Sequence, residues 1–179
     1  QILLGLAVIA LGFVFTVIEL PFPPFELRLG IFGPIITLLW IVGLCNAMNL
    51  IDGLDGLAGG VAFIGCALWA VLFYMQAQYL PAIVATAAGG AILGFLFFNF
   101  PPASIFMGDS GSLFLGFILA ILPLLGNARS QGETGLLQAI TISLVPLLDT
   151  VAAILRRWRH GVSFFTADRY HIHHKLLNL

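Results

Sequence analysis

Residues 31–75 read IFGPIITLLWIVGLCNAMNLIDGLDGLAGGVAFIGCALWAVLFYM, and the only charged side chains among them are Asp52 and Asp55. The uncharged run Ile31–Met48 ahead of these acids and the run Leu57–Met75 after them are each long enough, or nearly so, to cross roughly 30 Å of hydrocarbon. Two such runs joined by Asp-Gly repeats describe a membrane hairpin with a polar turn at one surface. Working outward, further runs occupy Ile2–Ile18, Tyr79–Phe98, Gly111–Gly126 and Leu136–Leu155. The chain is therefore predicted to be an all-α integral membrane protein with about six transmembrane helices, forming one membrane-embedded domain over residues 1–179. Composition agrees, with 60% hydrophobic residues, 8% charged residues and a mean hydropathy of +1.09. A net charge of −1 points to no nucleic-acid partner, so charge is informative only through its placement.

Between the first two runs, Pro21-Phe22-Pro23-Pro24 forbids regular helix and Glu26-Leu27-Arg28 alternates polar with apolar. A short extended or hairpin excursion is expected there. The second and fifth runs are short and border on or contain glycines, which predicts tilt or burial among neighbours. Cys45 and Cys66 both fall inside apolar runs and read as small buried hydrophobes.

Of seven Lys and Arg residues, five (Arg156, Arg157, Arg159, Arg169 and Lys175) follow the sixth run. The positive-inside rule puts that tail in the cytoplasm. Alternate crossings then place 49–56 and 99–110 on the same side, and 21–30, 76–78 and 127–135 outside. On this count Asp52, Asp55, Asp109, Asp168, His160, His171, His173 and His174 all share the cytoplasmic face, and Asp149 lies about two turns inside the last span. An acid at mid-bilayer costs about 2.5–3.5 kcal/mol, so such residues signal function.

Three segments carry the chemistry. In the first, Asn46, Asn49, Asp52 and Asp55 follow one another at steps of three. A regular helix would crowd them on one face, whereas the glycines of 53–60 favour a broken helix lining a cavity. Gathered amide and carboxylate oxygens suit a hard cation or a polar substrate. In the second, Asn99 to Ser112, the Gly108-Asp109-Ser110-Gly111 core looks like a protease serine motif, but it joins two membrane spans and every histidine lies downstream, so no triad geometry is on offer. Asp109 reads instead as a metal ligand just before a helix, with Ser110 or Ser112 as the cap and the first amides favouring a phosphate. In the third, His171, His173 and His174 lie beside Arg169 and Lys175. That cluster lacks the companion ligands of well-defined zinc motifs and is better suited to gripping a diphosphate through N–H donors. Arg156, Arg157 and Arg159 need no role beyond topology and attraction to lipid head groups. Together the segments supply carboxylates for Mg²⁺, a helix start and a cationic, imidazole-rich loop, which are the parts phosphoryl transfer needs.

The runs Asn46–Gly60, Phe98–Ser112 and His171–His174 resemble, in order and spacing, the motifs of the polyprenyl-phosphate N-acetylhexosamine-1-phosphate transferases, a group of multi-pass membrane glycosyltransferases. The His-x-His-His tail, and Pro146-Leu147-Leu148-Asp149 followed by Arg156-Arg157, are similar to the bacterial undecaprenyl-phosphate GlcNAc-1-phosphate transferase branch. The resemblance implies transfer of N-acetylhexosamine-1-phosphate, most specifically GlcNAc-1-phosphate, from a UDP-sugar to undecaprenyl phosphate with release of UMP. It implies an Mg²⁺-dependent enzyme, with Mn²⁺ as a substitute, in the bacterial inner membrane and facing the cytoplasm, serving lipopolysaccharide, teichoic acid or other cell-envelope polysaccharides. By motif, Asp109 corresponds to a Mg²⁺ ligand and Asn49 to a sharer of that site, while Asp52 and Asp55 line the nucleotide pocket or catalytic centre. Asn99 and Phe106 match nucleotide-contacting positions, Phe106 by stacking on uracil; His173 and His174 match the essential histidines, and His171 is this branch's extra one.

The resemblance also implies an adjacent aspartate pair on an earlier helix, upstream of Gln1, and further helices beyond Leu179. The sequence is accordingly expected to be a piece of a longer protein, inactive by itself. Two rivals fit less well. A CDP-alcohol phosphatidyltransferase requires Ala-Arg after its Asp-Gly, which neither Asp52-Gly53 nor Asp55-Gly56 provides. An ion-coupled transporter or channel would show repeats and a midplane site, whereas here the acids gather at one surface. The small-residue pairs Gly56/Gly60 and Gly90/Gly94 fit close helix packing, within or between subunits, without establishing a homodimer.

Overall fold

The computed structural model describes residues 1–20, 25–130 and 135–159. In chain order these form helix α1 (Ile2–Ala10), an antiparallel hairpin of strands β1 (Val17–Leu20) and β2 (Phe25–Arg28), a single 3₁₀ turn at Gly30–Phe32, and helices α2 (Gly33–Ile51), α3 (Leu57–Met75), α4 (Tyr79–Asn99), α5 (Gly108–Ser130), α6 (Leu136–Ile142) and α7 (Leu144–Arg159). Four stretches, 30–51, 57–75, 79–99 and 108–126, are long and apolar enough to cross a membrane, and α6 with α7 makes a fifth if that bent pair counts as one span. This is a helical, multi-pass membrane protein. Leu39, Ile64, Ile83, Phe97 and Phe114 are all more than half exposed, as lipid-facing side chains are, while Ile41, Leu44, Met48, Trp69 and Leu119 close the core.

The helices pair as two antiparallel hairpins. The turn 76–78 folds α4 back along α3, and α5 runs antiparallel to α2. Gly116 sets the second pairing: a Cβ there would stand 2.5 Å from Cys45 Cα and 2.8 Å from the Leu44 carbonyl oxygen, so the backbones touch only because it is glycine. Farther along, Pro123 denies α5 one backbone N–H, and the indole of Trp40 on α2 donates to the Ala120 carbonyl at 3.1 Å in the preceding turn. Cys45 and Cys66 are free and buried in this packing.

Two of the predicted spans take a different form. The run Ile2–Ile18 is not one helix: α1 is nine residues, about 14 Å, and Gly12 at φ +88° ends it. The chain then continues extended along α2, its Phe13–Ile18 being rich in aromatic and β-branched residues that favour strand over helix. Its backbone is answered from α2: the Thr37 hydroxyl accepts from the Phe15 N–H at 3.0 Å and donates to the Gly33 carbonyl at 2.8 Å. Phe15 is buried edge-on against Trp40, with ring centroids 6.1 Å apart. The predicted excursion is the β1–β2 hairpin, in which Val17 faces Arg28. The run Leu136–Leu155 bends by 78° at Ser143, because Pro146 has no N–H for the Ile142 carbonyl.

The turn 76–78 marks one end of the bundle. There an open apolar groove of about 660 Å³, lined by Val71, Tyr74, Tyr79 and Ile83 among others, lies between α3 and α4. The end of α2, the start of α3, the end of α4 and the start of α5 meet at the other.

Candidate active site

At that second end, α2 continues three residues past the predicted run and takes Asn49 into its last turn. Asp52 follows as the helix leaves regular geometry at φ −77°, ψ 54°, and a turn through Gly53–Gly56 enters α3. Gly56 at φ +77° makes that entry, a backbone state a side chain would strain. Farther along the chain, α4 ends at Asn99, the loop 100–107 follows, and α5 begins at Gly108, with Asp109 in its first turn rather than ahead of it.

Asn49 ties the end of α2 to the start of α5. Its Nδ2 donates to Asp109 Oδ1 at 3.2 Å and to Ser112 Oγ at 2.9 Å. Ser112 is fully buried one turn into α5 and donates to the carbonyls of Gly108 (3.3 Å) and Asp109 (3.2 Å). Neither Ser112 nor the exposed Ser110 caps the helix as expected; Ser112 instead fixes Asn49, which orients Asp109. Asn46 does not share that face. It donates to Gln1 Oε1 at 2.9 Å and to the Val42 carbonyl at 2.7 Å.

Asp52 is half-buried and its carboxyl is pushed above the usual aspartate range, first by burial and second by the negative charge of Asp109. The charge of Asp109, which the Asn49 amide holds, thus bears on Asp52. Among the described residues no three His, Cys, Asp or Glu side chains gather closely enough to hold a metal unaided. All the donors here are oxygens or can present one, and a site with one or two carboxylates, completed by water and substrate phosphate, is the pattern Mg²⁺ prefers. Asp52, Asp109 and Asn49 are the residues that would hold it.

The loop 100–107 is tied down by its own backbone and by two side chains. Ser104 and Ile105 donate their N–H groups to the Phe98 carbonyl at 2.8 and 3.2 Å. Asp55 Oδ2 accepts from the Ala103 N–H at 3.3 Å. Asn99, only 5% exposed, accepts from the Gly56 N–H at 2.9 Å and donates to the Ile105 carbonyl at 2.9 Å. Phe106 is 76% exposed beside them, its ring free on the surface of that end. The structure therefore brings together Asn49, Asp109 and Ser112 through one hydrogen-bond network, with Asp52 near enough to feel the charge of Asp109, and Asp55, Asn99 and the Phe106 loop through a second. The backbone partners (Gly56, Ala103 and Ile105) were invisible to motif reading because nothing in a residue's identity marks its amide or carbonyl. The roles expected of Arg169, His171, His173 and His174, and of the neighbouring His160, Asp168 and Lys175, fall on residues outside the described set.

The family model described as glycosyl transferase family 4 matches residues 1–127, which takes in both networks. The chain belongs to glycosyl transferase family 4. Among curated family 4 relatives, it is 41% identical over 177 residues to a probable undecaprenyl-phosphate N-acetylglucosaminyl 1-phosphate transferase of Bacillus subtilis, covering 99% of this chain and 49% of the relative. It is 39% identical over 165 residues to a decaprenyl-phosphate N-acetylglucosaminephosphotransferase of Mycobacterium tuberculosis, covering 81% of this chain and 41% of the relative. It is 36% identical over 185 residues to a phospho-N-acetylmuramoyl-pentapeptide-transferase of Anoxybacillus flavithermus, covering 99% of this chain and 56% of the relative. The chain spans about half the length of the curated family 4 relatives it matches.

Proposed function

We propose that this chain carries one catalytic face of an enzyme that transfers GlcNAc-1-phosphate from UDP-GlcNAc to undecaprenyl phosphate, releasing UMP, in a Mg²⁺-dependent reaction at the cytoplasmic side of a bacterial inner membrane. The carrying observation is the pair Asp52 and Asp109 where the end of α2 meets the start of α5: Asn49 holds Asp109 at 3.2 Å, and burial and the Asp109 charge raise the carboxyl of Asp52. A divalent cation held there would offset the charge of both acids and of a diphosphate. Names of the Bacillus and Mycobacterium relatives support the sugar and the polyprenyl phosphate acceptor.

The chain's own residues orient and present. Ser112 and Asn49 fix Asp109, so that its carboxylate is aimed before any ligand arrives. Asp109 and Asn49 would hold the cation, which would supply positive charge opposite the diphosphate. Phe106 offers an exposed aromatic face on which the uracil of the donor stacks. Arg169, His171, His173 and His174 are proposed to complete the diphosphate site. Five of the seven basic residues lie after the last span, which supports the cytoplasmic orientation.

The test uses the complete protein that contains this chain, in detergent, with undecaprenyl phosphate and radiolabelled UDP-GlcNAc. Butanol-extractable label that needs Mg²⁺ is expected, falling at least about a hundredfold in Asp109→Asn, or roughly 2.7 kcal/mol of transition-state stabilisation. If folded protein gives no lipid-linked label from any UDP-N-acetylhexosamine, the assignment fails.

A further inference from the structure

Asn99 sits at the last residue of α4 with its side chain turned inward, and both ends of its amide are engaged by main chain from different parts of the site. The oxygen accepts from the N–H of Gly56, the residue through which the Asp52–Asp55 turn enters α3; the nitrogen donates to the carbonyl of Ile105, the neighbour of Phe106. The Phe100 ring lies 3.5 Å from where a Cβ of Gly56 would stand, so the start of the loop runs close beside the turn. A second cross-link, from Ala103 N–H to Asp55, runs parallel to the first.

On this geometry, and resting on the transferase reading above, we infer that Asn99 is a positioning residue: it latches the acidic turn to the Phe106 loop and acts on the nucleotide through Phe106, without touching it. The chemistry leaves little alternative use for the side chain. A buried amide whose oxygen leaves Gly56 to reach a ligand strands a buried main-chain N–H, and one whose nitrogen leaves Ile105 lets go of the Phe106 loop. Phe106, by contrast, has no such obligation and depends on its loop for its place.

A direct contact and a latch differ in additivity. In the complete protein, the dissociation constant for UMP with Mg²⁺ is measured for Asn99→Ala, Phe106→Ala and the double variant. Each single change is expected to weaken binding about tenfold, and the double variant about tenfold as well, since Asn99 has nothing left to position. A double variant weakened about a hundredfold overturns the inference, because independent losses mean independent contacts. Hydrogen exchange on the ligand-free protein supplies a second reading. Asn99→Asp keeps the oxygen that meets Gly56 and removes the donor that meets Ile105, so residues 103–107 should exchange faster with residues 53–57 little changed, while Asn99→Ala should loosen both segments. Unchanged exchange in both segments of Asn99→Ala overturns the latch. Absence of UMP binding in the unsubstituted protein overturns the transferase reading instead, and exchange then decides the latch by itself.

Discussion

At the scale of single residues, the site is a set of oxygens whose identities were legible and whose partnerships were not. Asp52 and Asp109 stand out in any reading because membrane proteins keep few acids, yet only the folded chain shows that burial and the charge of Asp109 together raise the carboxyl of Asp52. The direction of the Asp52 effect gives a stability prediction. Its carboxyl is raised in the folded state, so folding favours the protonated form: that contribution is present below the unfolded pKa and is lost as pH rises through the higher folded value. Without divalent cation, Asp52→Asn should therefore melt about 1–2 °C above the unsubstituted protein at neutral pH, with the gap closing as pH falls through the carboxylate range. A gap that widens on acidification would contradict the sign. Added Mg²⁺ should reverse the order at neutral pH, since the ion stabilises the form it binds.

At the scale of elements, hydrophobic runs told most of the truth. The predicted run Leu57–Met75 has the bounds of α3, and Tyr79–Phe98 falls one residue short of α4. What periodicity could not mark were ends and breaks decided by hydrogen bonding. Asn49 is polar yet helical, because α2 carries on to bring it to Asp109. Ile2–Ile18 is apolar throughout yet half extended, because Thr37 can satisfy a strand's backbone there. Ser143 is an ordinary residue where the chain turns by 78°, the cause lying three residues on at Pro146. Close approach is the other hidden variable. Gly116→Ala should cost about 1–3 kcal/mol of stability by forcing α5 away from the Cys45 backbone, and with it Asp109 away from Asn49. Gly90→Ala on α4, where a Cβ would meet nothing within 4 Å, is the matched control and should be neutral or stabilising by about 0.5–1 kcal/mol. Equal losses from both changes in a thermal or denaturant titration would mean that helix contact at Gly116 is not what matters.

At the scale of the whole molecule, two antiparallel hairpins present their polar ends together and leave apolar groove and turn at the opposite end. The proposed orientation makes this measurable, because the native cysteines, Cys45 and Cys66, are buried. A cysteine placed at Ser104 should react with a membrane-impermeant maleimide only from the cytoplasmic side of sealed vesicles, and one placed at Gln76 only from the other. Labelling with the sides exchanged would invert the topology while leaving the site intact. The histidine cluster of 171–174 then has to reach the same surface as Ser104, which distance measurements between spin labels at the two positions would check.

The described face has one more property, visible in its charges. Every charged side chain described at the loops that form it (Asp52, Asp55 and Asp109) is an acid. A bare diphosphate meets repulsion from these acids, and a cation meets attraction. Whatever factor the cation adds to nucleotide affinity, the nucleotide must return to the cation, since the two paths to the ternary complex share their end points. On the proposed reading, the species that such a surface would admit is the metal–nucleotide chelate, and binding curves for either component alone should lie well below those measured in the other's presence.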